Sequence, residues 1–170
     1  MTNVRTLMPL ATEAVARAAK VVRDAHPGAL TFKGDRDMAS EVDYLVEREM
    51  REFLSERAPA IGFMGEEDGT TGSTDTLWTL DPVDGTANFV RGIPLCAISL
   101  ALVIDRQPAL AVISLPFLQE TYTAERGGGA FNGNRRLKCS PTSDVIDAIV
   151  SIGDYAVGDR ASERIASDSH

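Results

Sequence analysis

The order of two hydrophobic periodicities along the chain constrains its fold more than any other feature. Apolar residues recur at helical spacing over residues 6–25 and again from Ser40 up to the Ala58-Pro59 stop. Two helices followed by a mostly antiparallel meander predict an α+β fold with helices layered on a sheet. The strands of that meander are predicted at residues 61–64, 76–80, 96–104, 109–115, 120–124 and 136–139, with turns at 105–108 and 126–134.

The composition changes near residue 140 and divides the chain into two parts. Residues 140–143 read Ser-Pro-Thr-Ser, and the apolar segment that begins at Val145 soon gives way to polar residues. We therefore expect an N-terminal α+β domain over residues 1–140, which carries the candidate site. Residues 141–170 are expected to be the start of a truncated second α/β domain.

Acidic residues are concentrated in one part of the chain. The 170 residues include 17 Lys+Arg and 25 Asp+Glu, a net charge of −8, and residues 35–84 hold fourteen of these acids against four arginines. Such a chain is a poor ligand for nucleic acid or an anionic membrane, so neither is an expected partner. Part of this charge is expected to form the solvated face of the second helix, at Glu47, Glu49, Glu52 and Glu56.

The histidine and cysteine content argues against several kinds of site. His26 and His170 are the only imidazoles, too few for a His-based zinc site or catalytic triad. Cys96 and Cys139 are expected to be free thiols, as in a reducing cytoplasm. No apolar run reaches the ~18 residues of a membrane helix, and residues 1–20 lack the apolar core of a secretory signal. We therefore expect a cytoplasmic protein.

The strongest local motif is the run Asp-Pro-Val-Asp-Gly-Thr at residues 81–86. Asp81 and Asp84 follow a predicted strand and can both present carboxylates, and a short helix can begin at Gly85 and Thr86. The free N–H groups at such a helix start attract an anion, whereas carboxylates repel a phosphate unless cations intervene. The combination indicates a site for cations and a phosphate. An ordinary Asp-Pro turn followed by an Asp N-cap accounts for the same residues without chemistry.

Two further carboxylates lie where they can complete such a site. Glu66 follows the strand predicted at residues 61–64, at the start of an acidic loop between glycines. A carboxylate there can help to form an oxygen-rich Mg²⁺ site, although such a loop is more often simply solvated. Asp43 stands three residues after Ser40, so a capping box explains it without any chemistry.

Together these motifs resemble the inositol monophosphatase family, a Mg²⁺-dependent, lithium-sensitive phosphatase superfamily. The motifs that carry the resemblance are Gly-Glu-Glu at residues 65–67 and the runs at 78–89, 92–94 and 127–131, while residues 37–47 are similar to the family's Asp-x-x-Thr-x-x-Asp-x-x-x-Glu element. The resemblance covers residues 33–139, and it corresponds to the N-terminal two-thirds of the family pattern. It implies a layered α-β-α-β-α sugar-phosphatase fold whose second domain is incomplete in this chain.

The resemblance also implies a metal site that binds two or three Mg²⁺ ions. Glu66, Asp81 and the carbonyl oxygen of Val83 would hold the first ion. Asp81 would bridge to a second ion, which Asp84 would also bind. The ions would lower the pKa of a bound water and stabilise the oxygens of an in-line displacement.

The same resemblance implies the catalytic and substrate-binding residues. Asp43 and Thr86 would orient the attacking water beside the first ion, so that Asp43, Glu66 and Thr86 are the expected catalytic residues. Gly85 and Thr86 would bind the phosphate through backbone N–H groups, and Asp84 would contact the substrate from the same segment. No covalent nucleophile is required.

The chain departs from the family pattern in one respect, and this leaves alternatives open. The family's later Trp-Asp-x-Ala-Ala-Gly element, which supplies a further carboxylate to the second metal, is absent, since Trp78 is the only tryptophan. Inositol monophosphate is the leading expected substrate, followed by histidinol phosphate and then by another sugar or nucleotide phosphate. A truncated, non-catalytic chain that binds metal or acts through protein contacts is the remaining alternative. A homodimer is expected from the resemblance.

Overall fold

The computed structural model describes residues 4–32 and 38–150. Its helices are α1 (Val4–Asp24), α2 (Glu41–Arg57) and α3 (Thr86–Val90), with a 3-10 turn at Val145–Asp147. Its strands are β1 (Leu30–Phe32), β2 (Met38–Ser40), β3 (Gly62–Gly65), β4 (Thr70–Thr71), β5 (Thr76–Asp84), β6 (Ala97–Ile104), β7 (Gln107–Leu115), β8 (Glu120–Glu125), β9 (Gly129–Asn132) and β10 (Arg135–Arg136). Residue 37 of the Asp-x-x-Thr element and residues 151–170 of the expected second domain lie outside the described residues.

Eight strands form one mixed sheet in the order β10-β9-β8-β7-β6-β5-β3-β4, and β1 pairs with β2 in a separate ribbon. Neighbours in the large sheet are antiparallel except β3 and β5, which run parallel with Gly65 opposite Leu80. Parallel neighbours end at the same edge of a sheet. The residues that follow these two strand positions, Glu66 and Asp81, therefore lie beside each other at that edge.

The long helices α1 and α2 pack against each other and against the central strands β5, β6 and β7. Their shared core is one continuous apolar cluster, in which Trp78 of β5 is 1% exposed. Burying each Leu, Val or Ile of this cluster contributes about 1.5–3 kcal/mol. The core side chains that form the contact between helices and sheet include Ala14, Val15, Val22, Val46, Leu54, Leu100, Leu102 and Val112. The predicted α+β fold with helices on a sheet is confirmed.

Several strand boundaries differ from the predictions. The hairpin turn between β6 and β7 is only two residues long, because Asp105 and Arg106 both adopt positive φ (50° and 61°), as the tight turns of twisted hairpins require. The segment predicted as a glycine-rich turn contains a strand, β9, and the strand predicted at residues 136–139 is reduced to β10. Within the two described ranges, no helix is long and apolar enough to cross a membrane.

Candidate functional site

Strand β5 places the first two carboxylates of the site. It does not end at Leu80, as predicted, but continues through Pro82 to Asp84. Its pairing with β6 shifts register between Asp81 and Asp84, and a proline is tolerated at such a bulge because no ladder N–H is lost there. Pro82 and Val83 are buried, whereas Asp81 is half-buried and Asp84 is exposed. Pro82 and Val83 therefore hold this segment in the core, while the carboxylates of Asp81 and Asp84 remain at least partly accessible.

Gly85 begins the short helix α3 directly after this strand. It is the N-cap residue, with a left-handed backbone (φ 88°) and no side-chain cap. A Cβ atom here would lie 3.0 Å from the carbonyl oxygen of Leu95, so the close approach of the two backbones also requires glycine. The alternative interpretation of Asp84 as an ordinary N-cap is therefore wrong. The N–H of Asn88 donates to the carbonyl oxygen of Gly85 (2.8 Å), whereas the N–H groups that precede it at the start of a helix have no carbonyl acceptor one turn earlier and can be offered to a ligand.

Asp43 connects α2 to α3 through a single carboxylate. Its Oδ2 accepts hydrogen bonds from the backbone N–H (2.9 Å) and the hydroxyl (2.5 Å) of Ser40. The bond from the Ser40 N–H is one half of the predicted capping box, and the Ser40 hydroxyl oxygen completes the box by accepting from the backbone N–H of Asp43. Its Oδ1 accepts a hydrogen bond from the Thr86 hydroxyl at 3.0 Å. The same hydroxyl lies 2.9 Å from the carbonyl oxygen of Val83, so one proton serves two acceptors. Asp43 is 2% exposed, and the capping and site interpretations are compatible.

Asp81 is the electrostatic centre of the site. Burial, the negative charges of Glu66, Asp84 and Asp43 and a hydrogen bond to Glu66, in that order of importance, together raise its pKa to about 7. Its Oδ1 atom is buried without a hydrogen-bond partner among the described residues. A buried carboxylate surrounded by three others has an excess of negative charge that a cation would neutralise.

A cleft of about 360 Å³ opens beside Asp81. It is lined by residues from the end of β3 and the loop that follows it, from the middle of β5 and from β6: Met64, Gly65, Glu66, Thr79, Leu80, Asp81 and Ser99. The structure thus brings Glu66 and Asp81 together in one cleft and links Asp43 to Thr86 by a hydrogen bond. Asp84 and Gly85 lie at the end of β5 and the start of α3, outside the lining of this cleft.

The carboxylate oxygens of the site fit a Mg²⁺ ion, but they do not form a complete coordination shell. No three His, Cys, Asp or Glu side chains in residues 4–32 and 38–150 form a ready metal-binding group. Mg²⁺ is usually held by one or two carboxylates with several waters and substrate phosphates, so such a cage is not required. Two observations fit a cation here: Oδ1 of Asp81 has no hydrogen-bond partner in the described part of the chain, and negative charge surrounds it.

Glu47 was predicted to lie on the solvated face of α2, and that prediction is wrong. The side chain is fully buried, whereas Glu49, Glu52 and Glu56 are exposed as expected. Glu47 follows Asp43 by one helical turn and therefore faces the same way. The four-residue spacing from Asp43 is the sequence signal from which Glu47 could have been predicted to lie near the site.

The two cysteines are free thiols, as predicted, with Cys96 buried and Cys139 exposed. Burial raises the pKa of the Cys96 thiol, and the nearby charges of Asp43 and Asp84 add to this effect. A thiol with a raised pKa stays protonated at neutral pH and is a poor nucleophile. Cys96 therefore belongs to the packing behind the site rather than to its chemistry.

The fold and the strand-end carboxylates define an α+β protein with an acidic cleft at the edge of a mixed sheet. Residues 3–166 match the model of the inositol monophosphatase family, and the chain belongs to that family. The inositol-1-monophosphatase of Rhizobium meliloti is 42% identical over 131 residues, which are 76% of this chain and 49% of that protein. The histidinol-phosphatase of Mycobacterium tuberculosis is 40% identical over 125 residues, 70% of this chain and 48% of that protein.

A solved structure supports the same assignment. The crystal structure of the extragenic suppressor protein SuhB from Bartonella henselae has a TM-score of 0.77 and 33% identity, and the match covers 81% of this chain and 55% of that chain. The chain spans about half the length of the curated relatives it matches. The family identified from the sequence motifs is confirmed.

Proposed function

We propose that this chain contributes the metal and phosphate site of a Mg²⁺-dependent phosphomonoesterase that acts on a small phosphorylated polyol. Inositol monophosphate is the leading substrate. The observation that carries the proposal is the buried carboxylate oxygen of Asp81, which has no hydrogen-bond partner in residues 4–32 and 38–150 and lies near three other acidic side chains. Membership of the inositol monophosphatase family supports the same reaction class.

Four groups would hold the metal ions. Glu66 and Asp81 each follow a residue of the last pair between β3 and β5, Gly65 opposite Leu80. The carbonyl oxygen of Val83 and the carboxylate of Asp84 follow Asp81 on the same strand. Oxygen donors of this kind suit Mg²⁺. When bound, the ions supply positive charge that offsets the phosphate's own charge and makes a bound water more acidic.

Thr86 and Asp43 would orient the water that attacks phosphorus. The Thr86 hydroxyl shares its single proton between Asp43 and the carbonyl oxygen of Val83, which leaves its oxygen lone pairs free to accept a hydrogen bond from a water. Asp43 is itself held by Ser40, so the hydroxyl direction is fixed before substrate arrives. Such preorganised orientation lowers the entropic part of the barrier.

The phosphate would bind at the start of α3. The backbone N–H groups of Gly85 and Thr86 lie at the positive end of the helix dipole, where an anion is stabilised. Asp84 would contact the substrate through the bound cation, because a bare carboxylate repels a phosphate. The phosphorylated oxygen of the polyol would leave on the opposite side from the attacking water.

The comparisons support histidinol phosphate almost as well as inositol monophosphate. The matched inositol-1-monophosphatase and histidinol-phosphatase differ by only two points in identity to this chain, 42% against 40%. Histidinol phosphate is therefore the alternative substrate, with other sugar or nucleotide phosphates after it. A chain that binds metal without turnover remains the third possibility, since the match covers about half of each relative.

Phosphate release tests the proposal directly. The protein is incubated with inositol 1-phosphate or histidinol phosphate, in Mg²⁺ and in EDTA. Metal-dependent turnover that Asp81→Asn abolishes is the expected result, and the faster substrate identifies the specificity. Turnover in EDTA, or full activity of the Asp81→Asn protein, would contradict the assignment. Mn²⁺ binding without turnover of any of these esters would favour the non-catalytic alternative.

The remaining proposals concern the molecule around the site. We propose a cytoplasmic homodimer, supported by the free thiols and by the exposed apolar side chains of Ile93, Leu95 and Phe117. We also propose the domain boundary near residue 140, with the site in residues 1–140, since residues 141–150 are all exposed. Light scattering coupled to size-exclusion chromatography measures the oligomeric state, and a monomer at micromolar concentration would contradict the dimer.

A further inference from the structure

The loop that carries Glu66 is attached to helix α2 by one buried carboxylate. Glu47 Oε2 accepts a hydrogen bond from the backbone N–H of Glu67 (2.8 Å), and its Oε1 accepts one from the N–H of Asp68 (3.0 Å). These are the two peptide groups that directly follow Glu66. We propose that Glu47 is a positioning residue for Glu66, which sets the geometry of the first metal site through the loop backbone. This inference rests on the proposed function.

The fit between Glu47 and the loop is close. A Cβ atom built at Gly65 would lie 2.0 Å from the Glu47 carboxyl carbon, so any other residue would displace the carboxylate or the strand end. Gly65 is the last residue of β3 and directly precedes Glu66. The carboxylate therefore contacts the loop on both sides of the proposed metal ligand.

Arg51 fixes the far side of the same loop. Its Nη2 donates to Glu47 Oε1 at 2.6 Å and to the carbonyl oxygen of Gly69 at 2.9 Å, and its Nη1 donates to the Thr71 hydroxyl at 2.9 Å. The guanidinium also lies 4.5 Å above the centre of the Phe63 ring. Arg51 thus neutralises Glu47 and connects it to the residues that close the loop.

Stability alone is a weak reason for this arrangement. A buried ion pair contributes little net stability compared with apolar side chains of the same size, because both charges lose their hydration. Charge-assisted hydrogen bonds to backbone N–H groups, in contrast, fix position and direction. Glu47 and Arg51 form hydrogen bonds to the backbone of the loop that carries Glu66. This pair is therefore suited to hold the Glu66 side chain in a fixed position beside the cleft.

Mn²⁺ is the probe for the test, since it accepts the oxygen ligands of Mg²⁺ and its free form is measured by electron paramagnetic resonance. Glu47→Gln keeps the shape but presents an NH₂ group to one of the two N–H donors. It is expected to weaken Mn²⁺ binding about 10–100-fold and to speed hydrogen exchange at the Glu67 and Asp68 amides. The matched control is Glu52→Gln, an exposed position on the same helix, with unchanged affinity and exchange.

A third variant, Glu66→Gln, separates this inference from the proposed function. If Glu66→Gln weakens Mn²⁺ binding and folded Glu47→Gln does not, the inference is overturned while the metal site stands. If Glu66→Gln has no effect, both are overturned. Should Glu47→Gln fail to fold by circular dichroism, Arg51→Lys replaces it, because lysine keeps the charge but cannot reach all three acceptors. Unchanged affinity in folded Arg51→Lys then counts against the inference.

Discussion

Asp43 shows how one buried carboxylate can serve the fold and the candidate site together. One of its oxygens closes the capping box with Ser40, and the other receives the Thr86 hydroxyl. An N-cap contributes about 0.5–2 kcal/mol to helix stability, which favours a single position for the side chain. The oxygen that faces Thr86 is therefore held in place by the start of α2.

Asp81 should make the metal-free protein less stable as pH rises. Its pKa is about 7 in the folded chain and 3.8 in the unfolded chain, so between these values the folded state binds more protons and the free energy of unfolding falls with pH. Asp81→Asn removes this effect, and we expect it to raise stability in EDTA more at pH 8 than at pH 5. Urea unfolding at the two pH values measures the difference.

The control for this experiment is Asp144→Asn, which changes an exposed aspartate whose side chain makes no capping hydrogen bond. It should leave stability unchanged at both pH values. A wild-type protein that becomes more stable between pH 5 and pH 8 in EDTA, by an amount that Asp81→Asn removes, would show the opposite sign and contradict the assignment of the raised pKa.

Around the candidate site, the structural features that were predicted correctly are those whose signal is local. The capping box of Ser40 and Asp43 spans three positions, so spacing alone predicts it. Glu47 was placed wrongly because its partner Glu67 lies 20 residues further along the chain. Periodicity indicates which face of a helix a residue occupies, but it does not show that a loop returns to cover that face.

At the level of elements, the strand-to-helix junction after Asp84 depends on Gly85. Replacing Gly85 with alanine should cost about 1–2 kcal/mol for the left-handed backbone, with a further cost because the new methyl group would lie 3.0 Å from the Leu95 carbonyl oxygen. The matched control is Gly92→Ala, because φ there is also positive (71°) but a Cβ atom would have no non-neighbouring atom of the described residues within 4 Å. Urea unfolding should show a larger loss for Gly85→Ala. Equal losses would mean that the contact with Leu95 is unimportant.

Strand β5, which leads to this junction, is longer than the sequence predicted. A proline within an apolar run normally ends a strand, so β5 was predicted to end at Leu80. The structure instead places Pro82 at a bulge, where the register with β6 shifts and the missing N–H removes no ladder bond. This bulge is defined by the pairing of β5 with β6, and β6 lies after β5 in the chain. Local sequence therefore could not extend the strand.

For the whole molecule, the fold class followed from the sequence but the sheet topology did not. Helical periodicity followed by β-branched runs was sufficient for an α+β fold with helices on a sheet. The parallel pairing of β3 with β5, which are separated along the chain by the short strand β4, leaves no periodic signal. Yet that single pairing brings Glu66 beside Asp81 and creates the cleft. The site depends on a contact between segments that only the folded chain reveals.

Metal binding should therefore stabilise the whole fold, because the unfolded chain does not bring Glu66 and Asp81 together. A ligand at 100 times its Kd adds about 2.7 kcal/mol, and for a chain of this size each kcal/mol raises Tm by about 2–4 °C. Trp78 is buried and is the only tryptophan, so its fluorescence reports unfolding. We expect Mg²⁺ to raise Tm more at pH 8 than at pH 6, since protons compete for Asp81. Asp81→Asn should be the more stable protein in EDTA and the less responsive one in Mg²⁺. A Tm that is independent of Mg²⁺ at both pH values would contradict a metal site at these strand ends.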